Sequence, residues 1–155
     1  MTSGELRVGA SSVSRRLELP EARIMPMTGE GQHENGERGS KLAERTKTVA
    51  LLAVRCAQGL PRTDVGRVLG RQLLRAGTSV GANYRAACRA KSRRDMIAKL
   101  KIVEEEADEV LYWLELLRDA EVAGSRRVRS DLQAETHHVL RMTVASIKTL
   151  RQRPD

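Results

Sequence analysis

The chain has 155 residues, with 28 Lys and Arg against 20 Asp and Glu, a formal net charge of +8 and a pI near 10.2. That length suits one domain, and the positive balance suits a polyanion or an acidic surface as partner. Phe is absent and Trp113, Tyr84 and Tyr112 are the whole aromatic complement, which excludes the row of stacking platforms that single-strand binders lay along a groove.

Any nucleic-acid contact is therefore expected mainly at phosphates. No apolar run reaches the roughly 20 residues of a membrane span, and the N-terminus lacks a signal-peptide hydrophobic region. The expectation is a cytoplasmic protein without membrane contact. Cys56 and Cys88 fall within helical patterns and lack motif spacing, so they read as reduced, buried thiols.

Residues 1–39 are rich in Gly, Ser, Glu and Arg, contain Pro20 and Pro26, and show no sustained period. Such a segment buries too little apolar surface to offset its ordering entropy, and it is read as disordered. It holds five basic and six acidic residues, so the positive charge belongs to the remainder. Residues 40–153 are read as a four-helix bundle. The first helix is predicted from Ser40, as N-cap, to about Gln58, with Leu42, Val49, Leu52, Ala53 and Cys56 on its core face and Gly59 and Pro61 ending it. Leu51 and Val54 point away from that face, which calls for a second packing partner beyond a lone bundle.

Thr63 or Asp64 caps the second helix, predicted to continue to about Ala90 with Leu69, Leu73, Ala76, Val80 and Ala87 inward. Gly66, Gly70, Gly77 and Gly81 fall within about 60° of one another on its wheel. Each costs on the order of 1 kcal/mol against Ala, which close approach of another helix would offset. Gly77 and Gly81 are therefore candidates for a subunit contact. Ser92 with Asp95 resembles a capping box and opens the third helix, which runs to about Ala123 and Gly124. Its inward positions are Met96, Leu100, Val103, Ala107, Val110, Leu114 and Leu117. Ser125 caps a fourth helix carrying Val128, Leu132, Val139, Thr143, Ile147 and Leu150. Short connections between four such helices imply an all-α, antiparallel, up-down-up-down bundle.

On the second helix, Arg71, Arg75, Arg85 and Arg89, preceded by Arg67, form a rail that Lys91, Arg93 and Arg94 extend through the following turn. These residues are the candidate nucleic-acid contacts, with affinity falling as salt rises. The rail can equally meet carboxylates: Glu105 and Glu109 lie opposite the core face of the third helix beside Tyr112, Trp113 and Leu116, a candidate subunit interface. Glu104, at the edge of the core face, is expected to join Gln72 and Asn83 in a buried polar network.

The acidic run from Glu104 to Glu109 lacks the inward Glu-x-x-His pattern of bundle metal sites, and adjacent His137 and His138 point about 100° apart. Neither metal nor cofactor is expected. Thr78, Ser79 and Cys88 have no base and orienting group nearby in sequence, so an enzyme is not expected.

The run Ser79-Val80-Gly81-Ala82-Asn83, then Lys91-Ser92-Arg93-Arg94-Asp95-Met96, then Glu106 to Leu117 with Tyr112-Trp113-Leu114-Glu115-Leu116-Leu117, resembles the four-helix-bundle proteins encoded in intervening sequences of 23S ribosomal RNA genes. The likeness covers roughly residues 41–151. After Asn83, Tyr84-Arg85-Ala86-Ala87 departs from the acidic step many members carry, as in a basic subgroup. The resemblance implies a ring-like homopentamer without established enzymatic activity. A branch similar in fold, the accessory variability determinant proteins of diversity-generating retroelements, forms a basic pentameric barrel that binds a reverse transcriptase and nucleic acid. By analogy, this chain is expected to bind RNA or DNA and to serve as partner of such an enzyme. The alternative is an interaction scaffold whose arginine rail is spent in subunit packing.

Overall fold

The computed structural model describes residues 32–152, with side chains from Gly39 onward. Four helices account for nearly all of it: α1 Gln32–Gln58, α2 Asp64–Ala87, α3 Arg93–Asp119 and α4 Arg126–Gln152, with no strand among the described residues. α1 packs on α2 and α4, and α3 packs on the same two helices, so α1 and α3 face one another across the core, as do α2 and α4. Contacts between α1 and α2 run in opposite order along the two helices. Gly70 faces Ala57, Gly77 faces Ala53, and Gly81 faces Thr46 and Ala50.

The core is aliphatic, as the 3.6-residue period predicts. Leu42, Val49, Ala53, Leu73, Val80, Leu100, Val103, Val110, Leu117, Leu132, Val139 and Ile147 are all buried. Three threonines join them. Thr46 donates its hydroxyl to Ala43 O at 2.9 Å and Thr136 to Leu132 O at 2.7 Å, so each carries its own hydrogen bond into an apolar setting. Tyr84 is also buried, and its hydroxyl donates to Gly39 O at 3.0 Å. Thr143, which the helical period had placed inward, has no hydrogen-bond partner for its hydroxyl among the described residues, whereas the partner of Tyr84 is 45 residues away in the chain and is found only on folding.

Local signals set the helix starts. Thr63 caps α2, its hydroxyl accepting from Gly66 N at 3.1 Å. Ser92 caps α3 by accepting from Asp95 N, and the Asp95 carboxylate reaches back to Lys91 N at 3.0 Å, one residue earlier than the usual box. Ser125 accepts from Val128 N at 3.3 Å at the head of α4.

Several expectations need correction. α1 begins at Gln32, so Ser40 lies inside the helix instead of capping it, and residues 32–39, expected to be disordered, are helical. Once the packed part of a helix exists, each added residue contributes a hydrogen bond without the nucleation cost. The rest of that expectation, residues 1–31, lies outside the described residues. α2 stops at Ala87 and α3 at Asp119, three or more residues earlier than predicted. Glu121, with φ of 51°, turns the chain out of α3. Cys56 is buried, whereas Cys88 is exposed at the C-cap of α2; both are free thiols. Burial pushes the Cys56 thiol up, partly offset by Arg129.

Candidate nucleic-acid interface

The outward face of α2 carries Arg67, Arg71, Arg75 and Arg85, all exposed, because a spacing of four, four and ten residues keeps them within one stripe of a helix, and Arg89, also exposed, stands in the turn two residues past its end. Lys91 and Arg94 are exposed in and just after the turn to α3, and Arg93 is half-buried beside them. The structure therefore brings the rail together, but its members differ in how they are held.

Arg75 is spent inside the chain: its Nη2 donates to Glu109 Oε1 at 2.5 Å, and Nη1 lies 3.8 Å from Glu106 Oε1. The hydrogen bond that Arg75 donates to Glu109, together with the charge of that carboxylate, holds its guanidinium above its ordinary value. Glu109 also accepts from Trp113 Nε1 at 3.1 Å, so one carboxylate ties α2 to α3 and orients the indole. Arg67 is engaged by Asp64 and by Arg62 O. Arg71, Arg85, Arg89 and Arg94 have no side-chain partner among the described residues, and these four make the open part of the cationic surface.

The expected network of Gln72, Asn83 and Glu104 does not form. Glu104 pairs with Lys101 at 2.7 Å, Gln72 with Arg75 at 3.4 Å and Asn83 with Ser79 O at 3.0 Å, each within its own helix. Glu104 stands seven residues before Leu111, and Leu111 lines the groove between α3 and α4, so Glu104 faces away from α2. Glu106 takes the α2 side instead. That was not legible from sequence, since three consecutive glutamates differ only in angle.

The candidate interface residues divide as well. Leu51 is 50% exposed and Tyr112 51%, and Glu105 is exposed, so all three are open in the isolated chain. Val54, Leu116 and Trp113 are half-buried, with Trp113 packed against the core and edge-on to Tyr112 at 5.0 Å between ring centres. Gly77 is a correction: it is buried against Ala53 of the same chain, so its missing side chain serves helix packing within the protomer. Gly81 likewise faces Thr46 of α1. Glu109, expected to meet a neighbour's arginine, meets its own chain's Arg75 because α2 and α3 are adjacent.

No cluster of three or more potential metal-ligating residues occurs among the described residues, and none of their helices is long and apolar enough to cross a membrane. Two grooves, of about 1070 and 530 Å³, lie one between α3 and α4 near their shared turn and the other at the opposite end of the bundle.

These features define a class: an all-helical protein of four helices with a cationic outer surface. Residues 39–145 match the model of the 23S rRNA-intervening sequence protein family, and the chain belongs to that family. Among solved structures it is similar to a protein of unknown function from the S23 ribosomal protein family of Bacteroides thetaiotaomicron VPI-5482. The two share 32% identity over 72% of this chain and 98% of that one, with a TM-score of 0.66. No curated protein matches it.

Proposed function

We propose that this protein is a non-enzymatic, nucleic-acid-binding bundle that works as a homo-oligomer. The observation that carries the reading is the set of exposed arginines without a partner among the described residues, Arg71, Arg85, Arg89 and Arg94, on a chain whose excess charge lies outside its N-terminal segment. Holding like charges together costs stability that a bound polyanion returns. The name of the family, 23S rRNA-intervening sequence protein, agrees with an RNA setting.

The helices are proposed to run antiparallel, up-down-up-down, which the opposed order of contacts between α1 and α2 supports. Five copies form a ring in this reading. Leu51, Val68, Ile102, Tyr112 and Val144, each 40% or more exposed, supply apolar surface for the contacts between them. A reverse transcriptase remains the proposed enzyme partner, and the cytoplasm the proposed compartment.

Filter binding of a 20-nucleotide RNA and a 20-base-pair duplex from low to physiological salt tests the function. Linear loss of log affinity with log salt is expected. No retention at low salt refutes it. Sedimentation at micromolar concentration tests the assembly, with Leu51→Glu expected to lower the mass; a wild-type monomer refutes the ring. The second reading, an interaction scaffold without a nucleic-acid role, is favoured by the exposed apolar side chains Leu51, Val68, Ile102, Tyr112 and Val144.

A further inference from the structure

We infer that the nucleic-acid-binding surface is one end of the bundle, the end holding the α2–α3 turn, completed by Lys148 and Arg151 at the end of α4. The inference rests on the nucleic-acid reading above and adds where the phosphates are met.

The two ends are defined by contacts. At one, Tyr84 bonds Gly39 O, and the 530 Å³ groove brings Leu42 of α1, Tyr84 of α2, Met96 of α3 and Leu150 of α4 together. At the other, Arg129 of α4 donates to Leu117 O and Val122 O beyond α3, and Leu60 covers Gly70. Midway, Gly77 faces Ala53 and Arg75 meets Glu106.

Dividing α1, α2 and α3 at that level and α4 at its midpoint separates the charge. Residues 39–52, 77–105 and 140–152 hold 13 Lys and Arg against 4 Asp and Glu, an excess of nine. Residues 53–76 and 106–139 hold 9 against 9. The whole net charge of residues 39–152 therefore sits at the end with the α2–α3 turn. The ion pairs Lys99–Asp95, Lys101–Glu104 and Arg45–Glu135 occupy cations there, Lys41 and Arg93 are engaged as well, and the first two pairs use two of the four acids. From Leu140 to Gln152, α4 has no acid at all, and Lys148 and Arg151 are exposed.

The rail alone does not have this polarity. Arg67 and Arg75 are matched by Asp64, Glu106 and Glu109 in the neutral half, where Arg71 alone of the rail is unmatched, whereas Arg85, Arg89 and Arg94, toward the turn, are all unmatched. They come from α2, the turn after it and α3, and Lys148 and Arg151 add α4. Tyr84 is the one aromatic residue of the basic half and is 3% exposed, while Tyr112 and Trp113 lie in the neutral half. Bases thus find nothing to stack on at this end, and the contact is with the phosphodiester backbone, of duplex and single strand alike.

The test uses the full chain and compares two double variants on exposed helix positions where Ala is well tolerated. Lys148→Ala/Arg151→Ala removes two cations at the basic end; Arg126→Ala/Arg127→Ala removes two at the neutral end. On a 20-base-pair duplex each lost phosphate contact lowers the slope of log affinity against log salt by about 0.9, which at 0.1 M salt is about eightfold in affinity. The first variant is expected to bind about sixtyfold more weakly and the second like wild type; Arg89→Ala/Arg94→Ala should match the first. Equal losses at both ends overturn the polarity while leaving nucleic-acid binding intact. Absence of wild-type binding to either RNA or duplex at low salt overturns the underlying reading. Poly-glutamate competing as well as RNA, mass for mass, would assign the end to an acidic protein and overturn the inference too.

Discussion

Replacing Gly77 by Ala tests the tightest approach in the molecule. A Cβ built on Gly77 would lie 2.3 Å from the Ala53 Cβ, against about 3.5–4.0 Å for carbon atoms in contact. Neither atom can rotate away, so α1 and α2 must separate locally by more than 1 Å, roughly. Overpacking of this kind costs about 1–3 kcal/mol, and a rigid pair belongs at the upper end. Ala gains about 1 kcal/mol of helix propensity over Gly, which leaves a net loss of about 2 kcal/mol. Ala53→Gly alone should lose about 2 kcal/mol, from propensity and a buried methyl. The double variant exchanges the two residues and removes the clash, so its stability should return to within about 1 kcal/mol of wild type. Urea unfolding followed by far-UV circular dichroism, at one protein concentration because assembly would shift the midpoint, measures all four. If Gly77→Ala is stabilising, or if the double variant loses about 4 kcal/mol, the close approach of α1 and α2 is not what Gly77 provides.

Gly81→Ala should behave oppositely, because its Cβ would sit 3.4 Å from Thr46 O, an ordinary contact; a gain of about 0.5–1 kcal/mol in the same assay is expected. Arg129→Ala removes the guanidinium that meets Leu117 O at 3.4 Å and also Val122 O, where α3 ends, and should cost about 2 kcal/mol by urea midpoint. A loss below 0.5 kcal/mol, roughly, would mean those carbonyls are equally well satisfied by water. Asp95 predicts an acid limb. The hydrogen bond from Lys99, then that from the Lys91 backbone N–H, hold its carboxyl below the usual range. The unfolded chain therefore takes up the proton first, so the contribution is present above about pH 4 and is lost as pH falls through the folded value. Thermal melts from pH 6 to pH 3 should show this loss, and Asp95→Asn should flatten that part of the profile; an unchanged profile would remove Asp95 from the account.

Read in sequence alone, Thr63, Ser92 and Ser125 announce the starts of three helices, and Leu100, Val103, Ala107, Val110, Leu114 and Leu117 announce the buried stripe of α3, because capping and a 3.6-residue period act between near neighbours. The Arg71 to Arg89 rail was legible for the same reason. What periodicity cannot reach is the partner across the core. Gly77 was open to a neighbouring subunit until α1 was seen to press Ala53 against it, and Glu109 was open to another chain until α2 was seen to present Arg75. Glu104 was assigned to a network that its angle forbids.

The charge shows the division most clearly. Chain composition determined that the bundle is basic, and helical spacing determined which side of α2 the arginines share. Only the packing of α4 beside α1 and α3 puts Lys148 and Arg151 at the same end as Arg89 and Arg94, more than 50 residues away in sequence. Local rules place a side chain on its own helix; which charges become neighbours depends on how the helices are joined and packed, and that is a property of the folded chain.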